Sequence, residues 1–354
     1  MFPKSFLSIF FILIFALTYC HEDTNFEFIV KRNELGILSI PIKVGSSKQL
    51  FEAHISTTLS HVFFMSESVV RGGFDESKST SFTSIQPASF PSIKAISKGR
   101  LVKDALTLEN EGQVVMITDF SFFEIDELKE LFFYKAAIGF EYQPQKGEEH
   151  LSFMKRLYDE RLLYKNMFYL VKKQDKVKLY IGVPPPFYKR ENKFKSCSLL
   201  KHKGGIPNPF WQCNLNIVYF DESSFFRFNN PITFSIGDNY NCVSFSLYNY
   251  VKNRFFTQGI QEKKCFEKSN GSFIITCGAT FELNTEEVIS YLIDGINIKI
   301  KIKDLFLEIS EYEKVFGLRH CKNKDYTWSM SYYFLEDSIL IFDKENNVIK
   351  RGWE

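Results

Sequence analysis

Ser56 and His54 are the residues of this sequence whose types and spacing first suggest chemistry. On a β-strand, side chains two residues apart lie on the same face, so the imidazole of His54 would stand beside the Ser56 hydroxyl. A histidine next to a serine can activate a nucleophile by taking the proton of the hydroxyl. A third, orienting carboxylate is not evident and no Gly-x-Ser-x-Gly turn occurs, so we interpret this pair as a coincidence.

Metal and cofactor binding have no comparable pattern. The sequence has no Cys-x-x-Cys pair, and the spacing of its histidines does not match that of metal ligands. We therefore predict no metal site and no cofactor. The histidines lie at positions 21, 54, 61, 150, 202 and 320.

Charge and composition exclude two further classes of protein. The 44 Lys+Arg and 42 Asp+Glu residues leave a formal net charge of +2 at pH 7 without a run of like charges, which argues against a nucleic-acid-binding protein. The basic residues between Lys189 and Lys203 are explained by a solvated connection. A hydrophobic content of 45% is ordinary for a globular protein and excludes intrinsic disorder.

The N-terminal segment predicts export. Residues 6–17 are apolar except for Ser8, they follow Lys4, and charged residues begin at His21. Because this run is too short to span a bilayer, we interpret residues 1–20 as a signal peptide, with an N-terminal anchor as the alternative. We expect a secreted, secretory-pathway or lysosomal protein, monomeric and free of the membrane after signal removal.

Six cysteines follow the proposed signal peptide, and an even number favours disulfides in an oxidising compartment. All six lie in the second half of the chain. Proximity along the chain suggests the pairs Cys197–Cys213 and Cys242–Cys265, but the sequence leaves the connectivity open. Asn270-Gly271-Ser272 is a glycosylation sequon and predicts a surface glycan at Asn270.

Most of the secondary structure predicted along the chain is β-strand. Alternating or aromatic runs predict strands over 36–45, 50–64, 101–108, 113–123, 177–181, 296–302 and 338–342, and helical spacing is evident over 151–164. The excess of 39 Phe and 17 Tyr over 3 Trp also favours strands. A length of 354 residues is about twice that of a usual domain. We predict an all-β protein with two lobes, residues 21–184 and 185–354, joined near Pro184-Pro185-Pro186.

Several motifs in order resemble the pepsin-like aspartic proteases (peptidase family A1). The resemblance covers nearly the whole mature chain and implies a two-lobed fold with a cleft between the lobes. It also implies a disulfide between Cys277 and Cys321. The matching segments are residues 40–45, Ser56-Thr57-Thr58, residues 74–82, 104–108 and 136–140, Phe210-Trp211-Gln212, and residues 328–347.

The resemblance places Ser56 and Ser235 at the positions of the family's two catalytic aspartates. In that family two carboxylates share one proton, and one of them acts as general base on a water molecule. A serine hydroxyl is neutral at physiological pH and cannot do this. Loss of a general base alone costs roughly 10²–10⁴-fold in rate, so we predict an inactive homologue.

The residues around these positions depart from the family pattern as well. Thr58 replaces a glycine that a tight loop favours, and Ile236 replaces a threonine of the hydrogen-bonded grip beneath the dyad. The region around Ser92 lacks the flap tyrosine, and Ser331 and Tyr332 stand where Gly-Asp is usual. Only residues 21–34 precede the first strand, too few for an inhibitory propeptide. Our candidate cleft residues are Thr57, Thr58, Ser92, Ile236, Gly237 and Asp238.

We predict a pseudopeptidase whose cleft binds an extended peptide or protein by strand-like hydrogen bonding. The alternative from the enzyme class is a divergent aspartic-type endopeptidase with residual activity that uses Asp238. A third possibility is a structural protein whose cleft is closed by Phe side chains. The fold alone does not decide among these roles.

Overall fold

The computed structural model describes residues 26–33, 37–59, 61–88, 97–110, 113–128, 134–142, 151–174, 176–182, 194–201, 209–220, 224–269, 272–321, 328–335 and 337–352. The predicted signal peptide, the linker at 184–186, Ser92 and Asn270 lie outside the described residues.

Strands form nearly all the regular structure of this part of the chain, and the all-β prediction is confirmed. The strands in the first half are β1 (Phe26–Arg32), β2 (Leu38–Val44), β3 (Gln49–Ser56), β4 (Val62–Met65), β5 (Thr83–Ala88), β6 (Ser97–Asn110), β7 (Gln113–Leu128), β8 (Ala136–Gly139), β9 (Met167–Lys173) and β10 (Lys176–Ile181).

The second half contributes a further set of mostly short strands. They are β11 (Lys195–Ser198), β12 (Gln212–Tyr219), β13 (Phe225–Ser235), β14 (Asn241–Val243), β15 (Cys265–Ser269), β16 (Ser272–Gly278), β17 (Val288–Ile293), β18 (Ile296–Lys301), β19 (Phe306–Glu308), β20 (Glu313–Phe316), β21 (Leu318–Cys321), β22 (Ser329–Ser331), β23 (Ser338–Asp343) and β24 (Val348–Gly352).

Burial along β18 shows why these segments are strands. Ile296, Ile298 and Ile300 are buried, whereas the polar residues between them face outward. Side chains that alternate between two faces match a sheet with one face in the core. The same alternation of buried and partly exposed residues runs through β2.

Helices are few and short. α1 (Phe153–Asp159) begins after Ser152, whose side chain accepts a hydrogen bond from the Lys155 amide. It ends earlier than the predicted 151–164 because Arg161 adopts a left-handed φ of 58°. The sequence patterns did not predict α2 (Phe245–Phe255) or α3 (Thr257–Gln261). Among the described residues, 3₁₀ turns span Glu76–Lys78, Ile302–Asp304 and Tyr332–Phe334.

The strands form two large sheets. The first has the order β11-β24-β23-β9-β10-β1-β2-β3-β8-β4-β7-β6-β5, and the second runs β18-β17-β12-β13-β22-β14-β21-β16-β20-β19, with β15 beside β16. The first sheet therefore includes strands from both ends of the chain: β9 pairs with β23, so that Leu170 lies opposite Leu340. The two halves share this part of the sheet.

Aromatic side chains make the core continuous across this junction. Trp211, from the second half, donates its indole N–H to the Phe140 carbonyl of the first half at 2.6 Å. The same ring packs edge-on against Phe168 and Phe342, which stack on each other with centroids 4.6 Å apart. Such pairs add to the free energy gained by burying the rings. No helix among the described residues is long and apolar enough to cross a membrane.

Three disulfides staple the second half, and two of the predicted pairings are wrong. The pairs are Cys197–Cys213, which proximity had suggested, Cys242–Cys321 and Cys265–Cys277. Cys277–Cys321 and Cys242–Cys265 are not formed, because strand pairing decides which cysteines meet. Cys265 and Cys277 lie opposite each other on β15 and β16, whereas Cys242 and Cys321 lie on the neighbouring parallel strands β14 and β21.

We expect the Cys242–Cys321 disulfide to contribute more stability than the Cys265–Cys277 disulfide. The first closes a sequence separation of 79 residues and the second one of 12. Loop entropy then predicts about 4–5 kcal/mol for the long loop against about 3 kcal/mol for the short one. Urea unfolding of Cys242→Ala/Cys321→Ala and of Cys265→Ala/Cys277→Ala measures the difference. Equal losses would contradict the loop-length account.

Candidate functional site

Ser56 and Ser235 end equivalent strands in the two lobes. Ser56 ends β3, which pairs in parallel with β8, and β8 in turn lies antiparallel to β4. Ser235 ends β13, which pairs in parallel with β22, and β22 lies antiparallel to β14. A strand from later in the chain is thus inserted between two others in the same way in each lobe. The two serines occupy corresponding points of a repeated arrangement.

Gly139 is required where the inserted strand β8 passes the Ser56 loop. A Cβ at this position would lie 2.3 Å from the Leu59 carbonyl oxygen and 2.6 Å from the His61 amide nitrogen. Next to it, the Phe140 amide donates to the Ser56 carbonyl at 2.7 Å. Only a residue without a side chain allows this close approach of backbone to backbone.

The hydroxyl of Thr57 joins the two loops across the lobes. It donates to the Phe234 carbonyl at 2.9 Å and accepts from the Ile236 amide at 3.1 Å. Thr57 is fully buried, so both backbone groups depend on this one side chain. Ile236 has no hydroxyl with which to return the bonds from the second lobe. Both hydrogen bonds of this bridge are therefore made by the Thr57 hydroxyl.

Gly237 brings the second loop directly against the Ser56 side chain. A Cβ on Gly237 would lie 2.8 Å from Ser56 Oγ and 2.9 Å from His54 Nε2. These contacts and the Thr57 bridge show that the loops of Ser56 and Ser235 abut each other. The structure thus brings the positions of the lost aspartates, Ser56 and Ser235, together with all the candidate cleft residues except Ser92, which lies outside the described residues.

Each serine hydroxyl is hydrogen-bonded within its own loop. Ser56 Oγ accepts from the Thr58 amide at 3.2 Å and lies 3.0 Å from Thr58 Oγ1. Ser235 Oγ donates to Asp238 Oδ2 at 2.8 Å and accepts from the Asp238 amide at 3.2 Å. Thr58 does not adopt a positive φ, so this loop accommodates a β-branched residue where a glycine was expected.

His54 is buried as a neutral imidazole. Its Nδ1 lies 3.1 Å from the Leu38 carbonyl, which can only accept, so Nδ1 carries the proton and Nε2 faces the Gly237 loop unprotonated. Burial lowers the pKa of His54 to about 4, against a smaller opposing effect of the Leu38 bond. Such an imidazole is a weak base, and a carbonyl rather than a carboxylate orients it. The contacts do not favour a Ser56–His54 nucleophile.

Asp238 is the carboxylate of this site. It is half-buried, and the loss of solvation raises its pKa, although the Ser235 hydrogen bond and the charge of Arg319 act in the opposite direction. Tyr134 stacks on His54 with centroids 4.4 Å apart. Burial, together with the charge of Asp238, raises the pKa of Tyr134 to about 12, so its hydroxyl stays protonated.

Tyr134 and Arg319 were not predicted from the sequence as residues of this site. Tyr134 comes shortly before the predicted strand of residues 136–140 and had no motif of its own. Arg319 reaches the site because β21 pairs with β14, which begins three residues after Asp238. Correct pairing of Cys242 with Cys321 would have revealed this neighbourhood. Among the described residues, no group of three or more His, Cys, Asp or Glu side chains is placed to hold a metal ion.

Comparison with known proteins supports the fold. No family model matches the chain, and no curated protein matches its sequence. In contrast, 388 chains of solved structures match. One is conglutin gamma, a basic 7S globulin from lupine seeds, with a TM-score of 0.68, 10% identity, and coverage of 94% of this chain and 96% of that one. The likeness shows the fold alone: a two-lobed, pepsin-like β fold.

We expect Thr57→Val to destabilise the protein by about 2–4 kcal/mol, because it leaves the Phe234 carbonyl and the Ile236 amide buried without partners. Valine keeps the shape of threonine, so the change isolates the hydroxyl. Thr58→Val is the matched control, with an expected loss below about 1 kcal/mol, since the half-buried Thr58 hydroxyl bonds only to the Ser56 side chain. Urea unfolding at pH 7 measures both. Similar losses would contradict the role of the bridge.

His54 should make the fold sensitive to acid. The pKa of His54 is about 4 in the folded protein against an ordinary value of 6.5, so the unfolded chain binds a proton in this range that the native state does not. Stability should therefore fall as the pH drops from about 6.5 to 4, by about 3 kcal/mol in total. His54→Asn keeps a donor for the Leu38 carbonyl and should remove this component from the pH dependence of urea unfolding.

His320→Asn is the matched control for the His54 experiment. The ring of His320 also faces a carbonyl, that of Val243 at 3.2 Å, but it is half-buried. Its replacement should leave the acid sensitivity in place. An unchanged pH slope in His54→Asn would show that another group causes the sensitivity.

Proposed function

We propose that this protein is an exported, catalytically inactive relative of the pepsin-like aspartic proteases, and that its interlobe cleft binds an extended peptide or protein segment. The observation that carries the proposal is the repeated arrangement in which Ser56 and Ser235 end equivalent strands and their loops abut through Thr57. In the family that the sequence resembles, these are the positions of the catalytic aspartates.

The chemistry of the site supports the loss of activity. Two neutral hydroxyls cannot share a titrating proton or take one from water at physiological pH. The hydroxyl of Ser56 bonds to Thr58, and that of Ser235 bonds to Asp238. The imidazole of His54 is buried and its Nε2 faces the Gly237 loop, so it does not supply an accessible base in place of the lost carboxylates.

Binding needs only the shape and hydrogen-bonding groups of the cleft. An extended peptide offers one N–H and one C=O per residue, and partly accessible polar groups can pair with them as a strand would. Thr58, Gly237 and Asp238 are half-buried in the two abutting loops. We propose that they contact such a segment.

Asp238 favours a second candidate function. Its carboxyl is held against the Ser235 hydroxyl and has a raised pKa. A carboxylate with these properties could serve as a single general base in a divergent aspartic-type endopeptidase with residual activity.

We further propose that residues 1–20 are a signal peptide, that the mature protein consists of lobes 21–184 and 185–354, and that it acts as a monomer carrying a glycan at Asn270. The three disulfides fit maturation in an oxidising compartment, as expected in the secretory pathway or the lysosomal lumen.

The test combines cleavage and binding by the purified mature protein. We expect no cleavage of a denatured protein substrate at pH 3–5, but saturable binding of peptides from a pool of random decapeptides. Gly237→Ala should weaken binding at least about tenfold, because the new methyl group meets Ser56 Oγ and His54 Nε2. Gly278→Ala, where a Cβ meets nothing within 4 Å, is the control.

The outcomes separate the candidate functions. Pepstatin-sensitive cleavage that is lost in Asp238→Asn would overturn the proposal that the protein is inactive, and it would support a divergent aspartic-type endopeptidase. Absence of both cleavage and binding would favour a structural role with a closed cleft.

A further inference from the structure

Arg319 is a cation beside the Ser235 loop whose buried Nε has no hydrogen-bond partner among the described residues. It lies on β21, directly opposite Cys242 of β14, and the Cys242–Cys321 disulfide ties these two strands together. Its guanidinium lies over the ring of Tyr240, in the segment that links Asp238 to β14. The backbone around Arg319 is thus fixed independently of any ligand.

The guanidinium has donors to offer and no acceptor in the described part of the chain. Its Nε is buried and has no hydrogen-bond partner, and no ion pair joins it to a described carboxylate. A guanidinium has five N–H donors, and a buried donor without a partner costs free energy. Burial also lowers the pKa of Arg319 to about 10, which leaves the side chain charged at neutral pH.

Asp238 does not satisfy this cation. Its Oδ2 accepts from Ser235, and its backbone carbonyl accepts from the Ser331 hydroxyl. The Asp238 carboxylate raises the pKa of Arg319 through its charge, yet the two side chains form no direct ion pair. Its negative charge nearby disfavours a doubly charged anion such as phosphate. A single carboxylate, which matches the fork of a guanidinium, suits the site better.

We propose that Arg319 binds a carboxylate of the ligand, so that the cleft selects peptides with an acidic group beside the Ser235 loop. This inference rests on the proposed function, since it assumes that the cleft binds a peptide. The carboxylate belongs either to a Glu or Asp side chain or to the C-terminus of the segment. Arg319 is a specificity-determining residue in this account.

The test compares matched peptides. The starting point is a decapeptide that binds. At each position in turn, one version carries Glu and one carries Gln, both with an amidated C-terminus. A third version carries Gln and has a free C-terminus. The wild-type protein should bind at least one carboxylate-bearing version about tenfold more tightly than its neutral counterpart, as expected for a charge-assisted hydrogen bond. The version that gains identifies the source of the carboxylate.

Variants then assign the preference to Arg319. Arg319→Gln should abolish the difference between the charged and neutral peptides while binding the neutral peptide within about threefold of wild type. Arg319→Lys should retain part of the preference, because it keeps the charge but loses the fork. Arg227→Gln is the control, since Arg227 also lies over an aromatic ring, that of Phe225, but on the exposed part of β13.

Protein stability gives a second readout that does not depend on peptides. N-acetylglutamate amide should raise the Tm of the wild-type protein more than N-acetylglutamine amide does, and Arg319→Gln should remove the difference. Equal peptide binding and equal Tm shifts would overturn the inference but leave the proposed function intact. A preference that survives in Arg319→Gln would overturn it as well. Absence of any peptide binding, with the Tm difference present, would overturn the proposed function instead.

Discussion

The floor of the site depends on the buried hydroxyl of Thr57. This one group satisfies a carbonyl and an amide of the other lobe, which lie 177 and 179 residues further along the chain. Because buried backbone groups need partners, the hydroxyl holds the two loops in one relative position. Gly237 completes the contact by its lack of a side chain. The contacts between the Ser56 loop and the Ser235 loop depend on this close approach.

The shared sheet makes such a fixed approach possible. Strands β9 and β10 of the first half are bounded on one side by β23 and β24 from the end of the chain, so neither half completes this sheet alone. Trp211 links the two halves of the core, because its indole N–H donates to the Phe140 carbonyl and its ring packs against Phe342. The lobes therefore meet as parts of one core, and a bond as specific as that of Thr57 can persist between them.

The sequence predicted the all-β class and many of the strands, although it missed β1, and it predicted the long-range contacts poorly. The alternation of apolar and polar residues predicts β2 and β18 correctly, because the residue types within each strand show which of its faces lies against the core. The disulfide pairing failed because distance along the chain does not measure distance across a sheet. Cys242 is 23 residues from Cys265 in sequence, yet strand pairing joins it to Cys321, 79 residues away. Arg319 was missed for the same reason.

The sequence by itself determined the class of fold and which side chains the Ser56 and Ser235 loops carry, since periodicity and residue identity are local properties. It established that positions 56 and 235 hold hydroxyls and not carboxylates. Only the tertiary structure decided how those types behave. His54 becomes a weak base, Asp238 accepts a hydrogen bond from Ser235, and Arg319 Nε is buried without an acceptor among the described residues. These properties arise only where distant segments pack together.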